Sequence, residues 1–240
     1  MRAKRARVRC VRVDSIHVSS HNLICGRIFF PMPHHIFITG ANGFLGSHLI
    51  PELLKRGHTV IALVRAGSEK KVPSGCKVVT GDALNASTYA SKISPADTFI
   101  HLIGVAHPSP SRAHEFREID LKSVEEAVPA AKAAGVKHFI YLSVPQPLPV
   151  MKAYGAVRAE GEALVKASGM AATFVRPFYV LGPGRRWPIP LLPFFWLLRI
   201  IAPKMGRKLF PVTVQDMVST LCWAVENVPK QSQIFEGVDI

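Results

Sequence analysis

The chain has 240 residues, 48% of them hydrophobic and 19% charged, with a formal net charge of +14. That length suits one large α/β domain with a small appendage, and the balance is that of a chain that buries a core rather than of a disordered one. Residues 1–31 hold seven lysines and arginines against Asp14 alone, a net +6. The remaining +8 is not gathered in a run interleaved with aromatics, so nucleic acid is not expected as a main partner. Cys10, Cys25, Cys76 and Cys222 are scattered, with no C-x-x-C pair and no histidine at ligand spacing. This pattern argues against a zinc site or a disulfide framework and for a reducing, cytoplasmic compartment.

Residues 1–33 show neither helical nor strand periodicity and no apolar core of signal-peptide type, and are read as a disordered basic extension, with a transit peptide or an unused upstream start as alternatives. From His34 onward, short apolar runs alternate with amphipathic stretches, the pattern of βαβ units building a doubly wound parallel sheet in one domain over 34–240. The expected strands are 36–39, 59–64, 77–80, 98–102, 138–143 and 172–176, rich in Val, Ile and Phe as strands covered on both faces should be.

The first strand runs into Gly40-Ala41-Asn42-Gly43-Phe44-Leu45-Gly46 and then a helix over 45–55. This is the context in which a glycine-rich turn cradles a dinucleotide. Gly40 permits the tight turn, Gly43 lets backbone approach a pyrophosphate, and Gly46 allows close helix–strand packing, with the helix N-terminus offering free N–H groups. The second strand ends at Arg65, where an acid would bind an adenosine ribose 2′-hydroxyl and a cation a 2′-phosphate. Arg65, with Ser68 and Lys70 as helpers, therefore favours NADP, NAD remaining open. A second helix is expected over 121–134, stopped by Gly135. Beyond residue 180 the composition shifts. The stretch 187–203 is very apolar, but prolines and Arg199 interrupt it below the ~20 residues that span a bilayer. It reads as a buried helix, a lid over an apolar substrate, or an interfacial membrane contact, the last not favoured.

The motif T-G-A-N-G-F-L-G at 39–46, the pair Gly81-Asp82 after the third strand and Y-L-S-V at 141–144 resemble the short-chain dehydrogenase/reductase superfamily, in its extended and atypical branches. The resemblance covers about residues 34–230. It implies a Rossmann-like fold with a small C-terminal substrate side over 182–240, Asp82 and Ala83 beside the adenine, and Leu102, Ile103 and Gly104 along the dinucleotide. It also places Ser143 as the hydroxyl that holds a substrate oxygen and Tyr154 as the acid/base. One helical turn after Tyr154, the superfamily's usual lysine is replaced by Arg158, which supplies charge but cannot titrate at physiological pH. The alternative is that Tyr154 merely packs and Arg158 pairs with Glu162 on the same helix face. Arg176-Pro177 opens a segment resembling the one that closes over the nicotinamide, with Pro177 at the cofactor, and in 212–218 Asp216 is expected to cap a helix. Two readings follow: an NADP(H)-dependent oxidoreductase or epimerase-like enzyme acting on a carbonyl or hydroxyl of a small, apolar molecule, or a non-catalytic dinucleotide-binding module. The second resembles the redox sensors related to nitrogen-metabolite repression, or the nucleotide-binding accessory subunit of respiratory complex I. Arg158 is the residue that makes it serious.

Overall fold

Seven parallel strands form the central sheet in the order β3-β2-β1-β4-β5-β6-β9. The computed structural model describes residues 32–105, 108–148, 150–185 and 189–240. The reading of an N-terminal extension falls, but for its last two residues, outside them. The strands are β1 (His35–Thr39), β2 (Thr59–Val64), β3 (Lys77–Thr80), β4 (Thr98–His101), β5 (His138–Leu142), β6 (Ala171–Arg176) and β9 (Ser232–Glu236), and a two-stranded parallel pair joins β7 (Val180–Leu181) to β8 (Val212–Thr213). The helices are α1 (Phe44–Lys55), α2 (Ala113–Glu115), α3 (Lys122–Ala133), α4 (Lys152–Ala167), α5 (Leu192–Ile201), α6 (Pro203–Lys208) and α7 (Val214–Glu226), with a π-helical turn, Phe116–Leu121, leading into α3.

The period-2 alternation of the strands sorts their side chains into two cores. On one face Ile36, Ile38, Val60, Ala62 and Ile100 pack with Leu45, Leu49 and Leu53 of α1 and Met217 and Leu221 of α7. On the other, Phe37, Ile61, Leu63, Phe99 and Phe139 pack with Val124, Ala127 and Ala131 of α3 and Val165 of α4. The expected doubly wound sheet is thus present, with β2 and β3 matching the expected strands residue for residue.

Four details differ from the sequence reading. β4 stops at His101 and β5 at Leu142, so Leu102 and Ser143 lie just past the strands. β9, a Ser-Gln-Ile-Phe-Glu edge strand with no fully buried residue, gave no continuous apolar signal. α7 is capped by Thr213, whose hydroxyl accepts from the Asp216 N–H while the Asp216 carboxylate accepts from the Thr213 N–H, so Asp216 is the reciprocal partner in a capping box rather than the cap itself. The buried-helix reading of the apolar stretch is also corrected: of the ten residues of α5, Phe195 alone is buried. No helix among the described residues is long and apolar enough to cross a membrane.

The strand order reverses direction between β1 and β4, and in open parallel sheets such a switch point opens a crevice at the carboxyl ends of the strands.

Candidate dinucleotide site

At that crevice Gly40 adopts a left-handed backbone, φ 76°, and a Cβ there would stand 3.0 Å from the carbonyl group of Leu102. Only glycine lets the turn after β1 lie this close to the chain leaving β4. Gly46 is equally constrained, since a Cβ would sit 2.5 Å from the Ala41 carbonyl oxygen. Gly43 is the N-cap of α1, with no side-chain cap and no acidic residue in the first turn, so the positive end of the helix is left for an anion from outside.

The turn forms one end of a cleft of about 690 Å³, within the range of small-molecule sites. Of the sequence-derived cofactor residues, Gly40, Asn42, Arg65, Asp82, Ala83, Ile103 and Gly104 line it. Arg65 is exposed at the end of β2. Asp82 also makes a local turn, its Oδ1 accepting from the Leu84 N–H at 3.0 Å. The other named residues lie around the cleft rather than in its lining. Gly43 and Phe44 start α1, Leu45 and Gly46 are buried in it, Leu102 backs Gly40, and Pro177 is buried after β6. Ser68 and Lys70 are not part of the lining.

Behind Gly104 lies a buried polar cluster centred on Arg158, which is 2% exposed. Its Nη1 donates to the Leu142 carbonyl oxygen at 3.0 Å and to the Tyr141 hydroxyl at 3.4 Å, and its Nη2 donates to the Ile103 carbonyl oxygen at 3.2 Å and to the Tyr154 hydroxyl at 3.1 Å. Nη2 also forms an ion pair with Asp120, whose other oxygen accepts from the Val105 N–H. The alternative pairing with Glu162 is not made; Glu162 instead takes a two-pronged bond from Arg176. Gly104 carries no side chain because a Cβ would run into the Arg158 guanidinium. Burial works against the charge on Arg158, but Tyr154, Tyr141 and Asp120 around it hold its proton more firmly than usual. Burial likewise pushes the Asp120 carboxyl up, against the pull of Arg158. Arginine keeps its proton in proteins, so the pair is ionised.

Tyr154 packs beside Val105, Phe116, Leu121 and Val157, its ring 4.8 Å from that of Phe116. Ser143 is buried, and its hydroxyl has no hydrogen-bond partner among the described residues. A polar chain links the cluster to the glycine turn: Thr39 Oγ1 to His101 Nδ1 at 3.0 Å, His101 Nε2 to Ser123 Oγ at 3.0 Å, and Ser123 Oγ donating to the Asp120 carbonyl oxygen at 2.9 Å. Because Ser123 spends its hydrogen on Asp120, it accepts from His101 Nε2–H, which leaves Nδ1 to accept from Thr39 and fixes a neutral imidazole. Burial, with Arg158 adding to it, accordingly pushes the His101 pKa down to about 3. Sequence reasoning missed Asp120, Tyr141 and His101. The one available signal was Arg158 itself, since a buried guanidinium requires a carboxylate, and Asp120 lies between Ile119 and Leu121, flanked by apolar residues.

A family model described as NAD(P)H-binding matches residues 40–184. A ceramide reductase of Caulobacter vibrioides is 32% identical over 152 residues, 62% of this chain and 47% of the relative. A UDP-glucose 4-epimerase of Vibrio cholerae is 26% identical over 246 residues, 87% of this chain and 73% of the relative. The chain spans about half or less of the length of several of the curated relatives it matches. Among solved structures, the Bordetella bronchiseptica enzyme WbmH in complex with NAD+ superposes with a TM-score of 0.63 at 23% identity, covering 85% of this chain and 75% of that one. These likenesses bear out the expected extended short-chain dehydrogenase/reductase-like fold.

Proposed function

The chain belongs to the NAD(P)H-binding family, and from that premise we propose that it is an NADP(H)-dependent oxidoreductase or epimerase-like enzyme acting on a carbonyl or hydroxyl of an apolar molecule. The observation that carries the reading is the meeting of the dinucleotide cleft and the tyrosine cluster across one backbone segment: Ile103 and Gly104 line the cleft on one side and touch Arg158, the partner of Tyr154, on the other. The glycine cradle and the uncapped α1 terminus fit a pyrophosphate, and Arg65 fits a ribose 2′-phosphate. The chemistry a dinucleotide held there would supply is hydride exchange with the substrate carbon. Tyr154 moves the proton at the substrate oxygen, Arg158 sets a permanent positive charge against the phenolic oxygen as that proton leaves, and the orphan Ser143 hydroxyl donates to the substrate oxygen. An apolar substrate is supported by the relative named ceramide reductase and by the apolar α5 beside the Phe178 loop.

One observation favours the non-catalytic reading: Arg158 gives both of its terminal nitrogens to protein atoms and is sealed from solvent, so it cannot stand in for a lysine that reaches the cofactor ribose. Calorimetric titration with NADPH and NADH decides the first step. Tighter binding of NADPH, reduced at least tenfold in Arg65→Asp, is expected; binding of neither nucleotide overturns the proposal. In a substrate screen Tyr154→Phe should then abolish turnover while leaving the dissociation constant for NADPH unchanged. A wild-type protein that binds NADPH yet turns over no carbonyl or alcohol would be a sensor.

A further inference from the structure

Beyond the contact of Phe195 with Phe178, that reading gives no part to the outer surface formed by the turn Ile189–Leu191, α5 and α6. Ile189, Leu191, Phe194, Trp196, Leu197, Ile200, Ile201 and Met205 are between 42% and 72% exposed. Water-exposed apolar side chains gathered on neighbouring turns mark a surface that something covers. Phe195 is the anchor, turned inward with its ring 6.0 Å from Phe178 and edge-on to it, and its neighbours face out.

The charge around this surface decides what covers it. The sequence contains no acidic residue between Glu162 and Asp216, while the same span holds eight lysines and arginines. Arg199 stacks over Phe210 at 5.1 Å, and neither Arg199 nor Lys204 has an acidic partner among the described residues. Arg207 reaches Asp239 only at 3.7 Å, with both side chains more than half exposed. A second copy of the chain docking face to face would bring like charges together. A surface of aromatic and aliphatic side chains rimmed by cations, of which Lys208 is drawn to Glu236 and Arg207 loosely to Asp239, matches an anionic lipid bilayer, where apolar groups enter the acyl boundary and cations meet the phosphates. At 1.5 Å per residue α5 is about 15 Å long, too short to span and long enough to lie in the interface.

We infer that residues 189–208 form a peripheral docking face for an anionic lipid bilayer. The face carries its load through Trp196, Leu197, Ile200 and Ile201 and draws its preference for negative lipid from Arg199, Lys204 and Arg207. The Phe178–Phe195 contact sets it next to the segment after β6, so an apolar substrate would pass from bilayer to protein without crossing water. The inference does not rest on the reaction; either can fail while the other stands.

The test is sedimentation of the full chain with vesicles of 70% phosphatidylcholine and 30% phosphatidylserine, and with pure phosphatidylcholine. Co-sedimentation with the mixed vesicles, at least tenfold weaker with pure phosphatidylcholine and at least tenfold weaker in Trp196→Asp/Ile200→Asp, is expected. Because the substituted side chains are exposed, the melting temperature should be that of the wild type. Brominated lipid should quench tryptophan fluorescence in the wild type and less in Trp196→Phe. Equal binding by the variant would assign the affinity to the basic residues 1–31 and overturn the inference. So would failure to bind either vesicle, including the case in which the wild type elutes as a dimer and the variant as a monomer, which would make the face a contact between copies.

Discussion

Arg158 is held by the carbonyl oxygens of Ile103 and Leu142, the hydroxyls of Tyr141 and Tyr154 and the carboxylate of Asp120. Desolvating two charges costs several kcal/mol per ion, and only the pair's mutual attraction and its hydrogen bonds offset this. Removing one partner is therefore far worse than removing both. Arg158→Met should destabilise the protein by about 3–5 kcal/mol in urea denaturation, and adding Asp120→Leu should restore much of that. If the double variant is as unstable as the sum of the singles, the two charges are not coupled. Gly104→Ala tests the same packing from the cleft side, because its methyl must displace the guanidinium, at roughly 1–3 kcal/mol; wild-type stability in that variant would show that Arg158 moves aside freely. The resemblance to the short-chain dehydrogenase/reductase superfamily singled out Tyr154 and Arg158, and the contact between them could be expected because a four-residue spacing stacks side chains on one helix face. Asp120 was not, because its partnership arises only when the turn before α3 docks on α4.

At the scale of elements, α7 illustrates how small local terms set a boundary. The reciprocal Thr213–Asp216 bonds fix where the helix begins, and Thr213→Ala should lower stability by about 1 kcal/mol, read as a shift in denaturation midpoint with unchanged slope. A midpoint that stays in place would mean that water caps the helix equally well. Strands β2 and β3 could be read to the residue because apolar runs end at Arg65 and at Gly81-Asp82. β9 could not, since Ser232 and Ile234 are exposed, none of its residues is fully buried, and an edge strand needs no apolar run. α5 exposes the opposite limit. Apolar composition all round a helix ordinarily means burial, yet only packing reveals what covers it, and here the fold covers Phe195 and leaves the rest.

The whole molecule stores a pH dependence in its buried imidazoles. Burial lowers His101 to about 3 and His138 to about 4 from an ordinary 6.5. Below pH 6.5 the unfolded chain takes up protons that the folded one refuses, so stability present at neutral pH falls as pH drops toward 4 and then 3, by about 1.4 kcal/mol per unit for each group. Urea denaturation should show a loss of about 2 kcal/mol between pH 6 and pH 5, roughly halved in His138→Gln; a flat profile would mean that both imidazoles accept protons in the folded state. The order of the strands along the chain has a different consequence. β6 pairs on its outer side with β9, and that partner begins at Ser232, only after α5, α6 and α7 have been laid down. At roughly 5–20 residues per second of synthesis, the open edge of β6, with Phe174 and Val175 in it, waits on the order of 3–11 seconds on the ribosome. Nascent chains halted short of Ser232 should be cut by protease within that strand and clump on release, whereas chains halted with Glu236 clear of the exit tunnel should resist.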